Sequence, residues 1–484
     1  MDPRTPFESL DDLRAGVRSA LRLEGADVRV VDDGALRDGV IDRLIFTVAF
    51  GPEALRPVAI WLIWKAAPQV GAYPASIHEL YMAAGRGDYE HATTPAINIR
   101  GITYDNARAI FSAAMGLRSK IAIFEIARSE MSYTWQRPGD YAASVLAGAI
   151  KVGYRGPVFI QGDHFQAIAR FYEKDPAGEI QKVKDLCAEA IAAGFFNIDI
   201  DASTLVDISL PTLDGQQEKN CRHTAELTAF IRAREPEGVR VSIGGEIGEV
   251  GHQNSTFEDL RAFMRGYAPA LKRRGDEAGV ELAGISKISV QTGTSHGGIV
   301  LADGTIKEVS VDFGTLAALS AAAKREYGLG GAVQHGASTL PEEAFGRFAE
   351  ADAVEVHLAT AFQNLLYDHP AFPADLKSEI YAYLTEKAAD ERKPGQSDAQ
   401  FFYGARKRGF GPFKRRMWEM PEAARTEIVA TLQERYSLMM TRLGVAGSAE
   451  LVDRIVAPVE VVIPAPPELG APESADRAAA SPRR

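Results

Sequence analysis

The stretch Val-Phe-Ile-Gln-Gly-Asp-His, residues 158–164, indicates the fold because it is a short apolar run that ends in polar residues. From Pro95 onward such runs alternate with longer amphipathic stretches, as expected of parallel strands covered by helices. The eight candidate strands are Ala96–Ile99, Ile121–Ile126, Val158–Gln161, Asn197–Ile200, Val239–Ile243, Lys287–Val290, Ala332–Gln334 and Ala353–Leu358. Helix candidates between them are Thr103–Met115, Tyr141–Val152, Glu179–Ala193, Thr224–Ala233, Phe257–Arg273, Leu316–Tyr327 and Glu342–Phe348. The pattern predicts an α/β fold, a single (β/α)₈ TIM barrel of roughly the usual 250 residues.

The segments on both sides of the barrel pattern have a different composition. Two short apolar runs, Arg43–Phe50 and Val58–Ala66, follow a helical segment near the start and predict a small α+β unit. The final residues are rich in Pro, Ala, Ser and Glu and lack aromatic side chains, which predicts disorder. The predicted domains are an N-terminal α+β extension at 1–92, the barrel at 93–368, a helical C-terminal extension at 369–456 and a disordered tail at 457–484.

The composition excludes several classes of function. The 484 residues include 65 acidic and 54 basic side chains, and the net charge of −11 gives no electrostatic basis for binding nucleic acid or anionic membrane. No apolar run approaches the roughly 20 residues that span a bilayer. Only two cysteines, Cys187 and Cys221, occur in the chain, so we expect no disulfide framework and a cytoplasmic location.

The strand ends carry the residues with chemistry, since active sites of TIM barrels lie at the C-terminal ends of the strands. Four of the nine histidines follow candidate strands: His164, His296, His335 and His357. A single strand-end histidine is more often a hydrogen-bonded loop residue, but three imidazoles at one barrel mouth suit a divalent metal, preferably Zn²⁺, with one position left open. Asp163 stands beside one of these histidines, so it could either cap the loop or exchange a proton with a substrate.

Glycines beside two of these histidines suggest a second role. In the segments 296–298 and 335–338, small residues allow backbone N–H groups to face an anion near the start of a helix. Such turns are also frequent without any ligand. Their position after the sixth and seventh strands nevertheless favours a phosphate site, because barrel phosphate sites are commonly built from neighbouring loops.

Taken together, the strand-end motifs resemble the class II, zinc-dependent fructose-bisphosphate aldolase superfamily, which also contains tagatose-bisphosphate aldolases. The resemblance covers roughly residues 95–366, because the motifs occur in the family's order at successive strand ends. The motifs are Ala96-Ile97-Asn98, Asp163-His164, Gly245-Glu246-Ile247-Gly248, Gly293-Thr294-Ser295-His296-Gly297 and His335-Gly336-Ala337-Ser338.

The resemblance implies a role for each matching residue. It implies zinc ligands at His164, His296 and His335, a proton donor at Asp163, and positions for a second or displaced cation, divalent or monovalent, at Asp201 and Glu246. It also implies contacts to the substrate and its phosphate from Asn98, Gly297, Gly336, Ala337, Ser338 and Thr360. A dimer or tetramer of this chain is the oligomer that the resemblance implies.

Two departures from the family motifs and one weak match affect the sugar side of the expected site. On the last strand the chain has Glu355-Val356-His357-Leu358-Ala359-Thr360 where the family usually has Lys-x-Asn-x-Asp-Thr, so His357 becomes a candidate catalytic residue. The family's mobile glutamate is replaced by the stretch 252–255, so Glu249 or His252 would have to substitute for it. Arg406 corresponds weakly to a family arginine that reaches the distal phosphate of the substrate. The alternative is that Arg406 belongs to a solvated basic face of the protein.

These features predict a metal-dependent aldolase of carbohydrate metabolism, with fructose 1,6-bisphosphate as the first substrate and dihydroxyacetone phosphate and glyceraldehyde 3-phosphate as products. Another phosphorylated ketose, such as tagatose 1,6-bisphosphate, is the nearest alternative, because the last strand is altered. A different metal-assisted carbonyl reaction on the same barrel also stays open. A further alternative is a non-catalytic, aldolase-like partner subunit, which retention of the ligand histidines disfavours.

Overall fold

The computed structural model describes residues 4–24, 27–248, 253–293, 299–301, 306–307 and 310–469. Its strands are β1 (Leu21–Glu24), β2 (Asp27–Val30), β3 (Ala72–Ala75), β4 (Thr94–Asn98), β5 (Ile123–Ala127), β6 (Gly156–Gln166), β7 (Asn197–Asp201), β8 (Ser242–Glu246), β9 (Lys287–Ser289), β10 (Ile299–Val300), β11 (Ile306–Lys307), β12 (Ala332–Gln334) and β13 (Glu355–Leu358).

The α-helices are α1 (Leu10–Val17), α2 (Asp33–Ala35), α3 (Ile41–Phe50), α4 (Arg56–Gln69), α5 (His78–Arg86), α6 (Thr103–Gly116), α7 (Arg128–Thr134), α8 (Pro138–Val152), α9 (Ala169–Tyr172), α10 (Pro176–Ala192), α11 (Leu213–Arg232), α12 (Phe257–Ala278), α13 (Phe313–Tyr327), α14 (Ala344–Glu350), α15 (Thr360–Asp368), α16 (Ala374–Lys387), α17 (Asp398–Ala405), α18 (Lys414–Trp418), α19 (Glu422–Arg442) and α20 (Ala449–Ile455). A π-helical turn, Leu36–Val40, joins α2 to α3. Short 3₁₀ turns lie at Glu53–Leu55, Ser203–Leu205, Ala389–Glu391, Arg406–Gly409 and Pro467–Leu469.

Eight parallel strands close into a barrel in the order β4, β5, β6, β7, β8, β9, β12 and β13, and β13 pairs back to β4. Every candidate strand from the sequence contributes one of them, which confirms the predicted (β/α)₈ barrel. All residues of β4, β5, β7 and β13 are buried, as expected of strands covered by helices outside and by side chains within. The parallel direction brings the C-terminal strand ends together at one mouth.

The N-terminal extension packs on the barrel and adds a strand to its sheet. The two apolar runs within it form the helices α3 and α4 rather than strands, and its strands are β1, β2 and β3. Strand β3 pairs in parallel with residues 156–159 of β6, below the point where β7 begins to pair with β6. The side chain of Asn197 fixes this junction, since it accepts from the Ile77 backbone N–H at 2.9 Å and donates to two strand carbonyls.

The C-terminal extension is helical, as its charged pattern indicates, and α19 lies against α6 of the barrel. At this contact the Tyr436 hydroxyl donates to Asn106 Oδ1 at 2.7 Å. Residues 457–466 follow without regular secondary structure before the last 3₁₀ turn, and Val459, Val461 and Ile463 pack against the core. These side chains alternate between core and solvent as in a strand, and the domain bounds given by the sequence stay predictions. The predicted tail beyond Leu469 lies outside the described residues.

Within the described ranges, no helix combines the length and apolar character needed to cross a membrane. Cys187 and Cys221 are both buried free thiols.

Candidate functional site

A bulge in β6 places two neighbouring side chains in the barrel mouth. Successive residues of a regular strand face opposite sides, but the register of β6 against β7 shifts between Gly162 and Phe165. His164 in the bulge has a left-handed backbone with φ of 40°. Gly162 is required there, since a Cβ at this position would lie 2.3 Å from the Phe165 ring. The bulge therefore allows both Asp163 and His164 to contact the same cluster.

Three metal-binding side chains meet at the mouth, from β6, the end of β8 and the residue after β12. One donor atom from each of His164, Glu246 and His335 lies within 4.8 Å of the other two, and the two imidazole rings are 4.5 Å apart between centroids. His164 Nδ1 also lies 3.0 Å from Asp201 Oδ2, and His335 Nε2 lies 2.9 Å from the Ser289 hydroxyl. We call His164, Glu246 and His335 the mouth triad.

The mouth triad contains two of the three predicted zinc ligands, His164 and His335, together with Glu246, which the sequence analysis assigned to a second or displaced cation. Two imidazoles and one glutamate form a ligand set of the type that holds catalytic zinc while leaving a position open. Ligand histidines are usually oriented by their other ring nitrogen, whose N–H donates to a carboxylate, a carbonyl or another oxygen acceptor. Asp201 and Ser289 are placed to do this for His164 and His335 respectively.

Asp163 lies beside the triad and is held from one side. Asn98 Nδ2 donates to Asp163 Oδ2 at 2.8 Å and also to Glu130 Oε2 at 3.0 Å. Burial by itself raises the pKa of Asp163, but His164 and His357 outweigh burial and hold the pKa well below its ordinary value. The buried Asp163 is therefore ionised, with Oδ2 occupied by Asn98 and Oδ1 facing the histidines.

His357 lies one layer below the mouth, in the barrel interior. Its ring stacks on that of His335 with 4.0 Å between centroids, and Nε2 lies 2.6 Å from Glu355 Oε1. Its Nδ1 lies 3.1 Å from Glu125 Oε1 and 3.3 Å from Asp163 Oδ1. Both ring nitrogens therefore face carboxylates inside the barrel.

The same layer holds charged side chains that the sequence analysis did not assign to the site. Lys287 Nζ lies 2.5 Å from Glu355 Oε1 and 2.9 Å from Asp199 Oδ1, and these three residues are almost completely buried. Burial raises the pKa of Glu125 to about 8, despite the opposing charge of His357. Charged residues within otherwise apolar parallel strands were the signal that could have revealed this layer, because barrel interiors are usually filled by branched apolar side chains.

A second polar group missed by the sequence analysis lies beside Asn98. Arg100, just after β4, donates to Glu130 Oε1 at 2.6 Å and to Gln363 Oε1 at 3.1 Å. Glu130 also accepts from the backbone N–H of Ala127. This network fixes Asn98 and Glu130 at the β4 and β5 side of the mouth.

The candidate phosphate residues converge at the start of α15. Ser338 Oγ accepts from the backbone N–H of Ala361 at 3.3 Å, which joins the loop after β12 to the first turn of α15. Thr360 is the first residue of that helix, and Gly336 adopts a φ of 71° in the same loop as Ala337. The structure therefore brings Gly336, Ala337, Ser338 and Thr360 together.

Four other candidates, Glu249, His252, His296 and Gly297, lie outside the described residues. Arg406 is buried, and its guanidinium contacts the Asp368 carboxylate at 2.9 Å and the side-chain oxygen of Asn364. Among the described residues, none of its hydrogen-bond partners belongs to the mouth triad or to the phosphate loop.

One solved structure with a TM-score above 0.5 supports the barrel fold. A probable tagatose 6 phosphate kinase from Sinorhizobium meliloti is 15% identical, with a TM-score of 0.53 over 74% of this chain and 100% of that chain. A fructose-bisphosphate aldolase from Campylobacter jejuni is 16% identical, with a TM-score of 0.46 over 78% of this chain and 96% of that chain. No curated protein sequence matches the chain.

The family assignment comes from the sequence model of class-II fructose-bisphosphate aldolases, which matches residues 76–439. The match spans most of the chain and includes the bulge of β6, the mouth triad and the start of α15. This chain therefore belongs to the class-II fructose-bisphosphate aldolase family.

Proposed function

We propose that this chain catalyses the metal-dependent aldol cleavage and condensation of a ketose phosphate, with fructose 1,6-bisphosphate as the first candidate substrate. The observation that carries the proposal is the juxtaposition of Asp163 with the mouth triad, which the bulge of β6 makes possible. His164, Glu246 and His335 would hold a divalent cation, preferably Zn²⁺. When bound, such a cation would polarise the substrate carbonyl and so ease the loss of the neighbouring proton.

Asp163 is the residue placed to exchange a proton with the substrate. Asn98 occupies its Oδ2, so Oδ1 is the atom available to take up or deliver the proton. The hydrogen bonds from Asn98 to both Asp163 and Glu130 restrict the rotation of the carboxylate, and general acid–base catalysis requires such positioning. Burial of Asp163 keeps bulk water from the same atom.

The loop 336–338 and the first turn of α15 would bind the phosphate of the triose half. Backbone N–H groups at the start of a helix favour an anion, and Ser338 and Thr360 add hydroxyl groups beside them. On the sugar side, Ala359 cannot hydrogen-bond a hydroxyl group, and Arg406 is engaged by Asp368. Different ketose phosphates, including tagatose 1,6-bisphosphate, would therefore be distinguished by groups other than these two.

The test separates proton exchange from carbon–carbon cleavage. Zinc-loaded protein is incubated with dihydroxyacetone phosphate in deuterated water, and exchange is followed by NMR. Cleavage is then measured across a panel of ketose monophosphates and bisphosphates. We expect exchange together with cleavage of at least one ketose bisphosphate.

Zinc-loaded protein that does neither would reject an aldolase activity for this chain and favour a non-catalytic partner subunit or a different carbonyl reaction. His369→Ala is a suitable control, because this histidine contacts Thr431 away from the mouth. The homo-oligomer and the cytoplasmic location stay predictions, and light scattering of the purified protein measures the first of them.

A further inference from the structure

Below the mouth triad, four buried side chains direct potential metal ligands at one another. They are Glu125 on β5, Asp163 on β6, Asp199 on β7 and His357 on β13, and one donor atom from each lies within 4.8 Å of the others. Their exposed fractions are 6% or less. We call these four residues the interior cluster.

The donor atoms of the interior cluster lack hydrogen-bond partners within the described ranges of the chain. This holds for Glu125 Oε1, Asp163 Oδ1, Asp199 Oδ1 and His357 Nδ1, although Lys287 Nζ makes an ionic contact of 2.9 Å with Asp199 Oδ1. A buried polar atom without a hydrogen bond costs about 1–3 kcal/mol, and more when it is charged. Ion pairs of Lys287 with Asp199 Oδ1, and of His357 Nδ1 with Glu125 Oε1 and Asp163 Oδ1, offset part of this cost, and a shared cation would offset the rest.

The spacing of the donor atoms suits a metal ion. His357 Nδ1 lies 3.1 Å from Glu125 Oε1 and 3.3 Å from Asp163 Oδ1, outside hydrogen-bond geometry. Ligands at about 2.0–2.1 Å from a tetrahedral zinc ion are roughly 3.3 Å apart. Asp199 would complete the set with a small shift, since its donor atom already lies within 4.8 Å of the others.

The surroundings of His357 are also those of a metal ligand. Ligand histidines almost always bond a carboxylate through the nitrogen that does not bind the metal. His357 Nε2 lies 2.6 Å from Glu355 Oε1, while Glu355 accepts from Lys287, Gln161 and the Tyr81 hydroxyl. The orientation of the ring is therefore fixed with Nδ1 directed at the interior cluster.

Charge balance allows a cation at the same place. Glu125, Asp163, Asp199 and Glu355 are four buried carboxylates, and the cationic groups that contact them are Lys287 and, when protonated, His357. Ionised carboxylates away from water require a compensating charge. A divalent cation would replace the proton of His357 as that charge and leave the imidazole neutral, which is the form that binds metals.

We propose that Glu125, Asp199 and His357 of the interior cluster hold a second divalent metal, separate from the mouth triad, and that Asp163 lies beside this metal with Oδ1 left for proton exchange. One imidazole and two carboxylates favour Zn²⁺, Mn²⁺ or Fe²⁺ over Mg²⁺ or Ca²⁺, because imidazole is a poor ligand for the last two. The site sits directly under the mouth, since His335 of the triad stacks on His357. Its existence does not depend on the reaction proposed above.

The test counts tightly bound zinc. Protein stripped with a chelator is reloaded with Zn²⁺, passed through a desalting column in a weak chelator, and analysed by mass spectrometry for zinc per chain. We expect two equivalents in the unmodified protein and one in Glu125→Gln, whose amide oxygen can still accept from Gln161. Asp199→Asn should lose the same equivalent, and His164→Ala should lose the other.

Glu179→Gln is the matched control, because Glu179 is equally buried but pairs with Arg128 outside both clusters. It should retain two equivalents. One equivalent or none in the unmodified protein, or two equivalents in both folded interior-cluster variants, would overturn the second site. Two equivalents without any aldol activity would instead reject the proposed function and leave the second site standing.

Discussion

Lys287 and Glu355 form an ion pair at the centre of the barrel, with 2.5 Å between Nζ and Oε1 and almost no exposure of either side chain. Lys287 lies on β9 and Glu355 on β13. In the closed sheet β12 lies between these two strands, and both side chains are buried inside the barrel. The pair also orients His357, whose Nε2 lies 2.6 Å from the same Glu355 oxygen. The last strand therefore carries Glu355 where the family usually has a lysine, and the lysine that pairs with Glu355 lies on β9.

Replacing Lys287 with Met should destabilise the metal-free protein by about 3–5 kcal/mol, because two buried carboxylates lose their cation. Urea unfolding in the presence of a chelator measures the loss. Lys272→Met is the control, since this lysine forms an exposed pair with Asp276. A change below about 1 kcal/mol for Lys287→Met would show that the pair does not support the fold.

Asp163→Asn should retain zinc and lose turnover by about 10²–10⁴-fold, because the side chain keeps its shape but cannot exchange a proton. Steady-state kinetics and zinc analysis on the same sample check both parts. Asp42→Asn serves as the control, because Asp42 is a buried aspartate bound by Lys151 and Tyr104 far from the mouth. Near-normal turnover in Asp163→Asn would assign the proton to another group.

His335→Ala should lower zinc affinity by more than about 100-fold and abolish turnover, since even residues that only orient metal ligands contribute 10–100-fold. Competition with a chelator of known affinity measures the first effect. Unchanged activity of His335→Ala in metal-free buffer would contradict the assignment of the mouth triad. His369→Ala should change neither property.

His78 should make the protein less stable in mild acid. Burial and, to a smaller extent, Arg232 and Arg240 lower the pKa of His78 to about 4, against 6.5 in the unfolded chain. Between these values the unfolded chain binds a proton that the folded protein does not, so stability is complete above pH 6.5 and falls as the pH decreases toward 4. The contribution is about 2–3 kcal/mol.

Urea unfolding at pH 7 and pH 4.5 tests this expectation, because His78→Asn removes the titrating group. The loss of stability between the two pH values should be smaller in the variant by about 2 kcal/mol. His91→Asn, at an exposed position, is the control. An equal loss in the unmodified protein and in His78→Asn would contradict the prediction.

The sequence by itself determined the barrel and much of the mouth. Eight apolar runs could become parallel strands only by pairing with one another, and their common direction places Asp163, His164, His335 and Thr360 at one end. The secondary structure of the two N-terminal apolar runs was harder to predict, because a short continuous apolar run does not distinguish a buried helix from a strand. Both runs are helices that bury their faces against the barrel.

Only the tertiary structure decided what lies beneath the mouth. Glu125, Asp199 and Lys287 belong to three different strands, and their contacts depend on closure of the sheet and on the stagger of its strands. Arg406 was likewise beyond the sequence, because its pairing with Asp368 depends on how the C-terminal extension folds back onto α15. The local sequence determines which residues form each strand and where the strand ends. The closed geometry of the barrel determines which residues of distant strands come into contact.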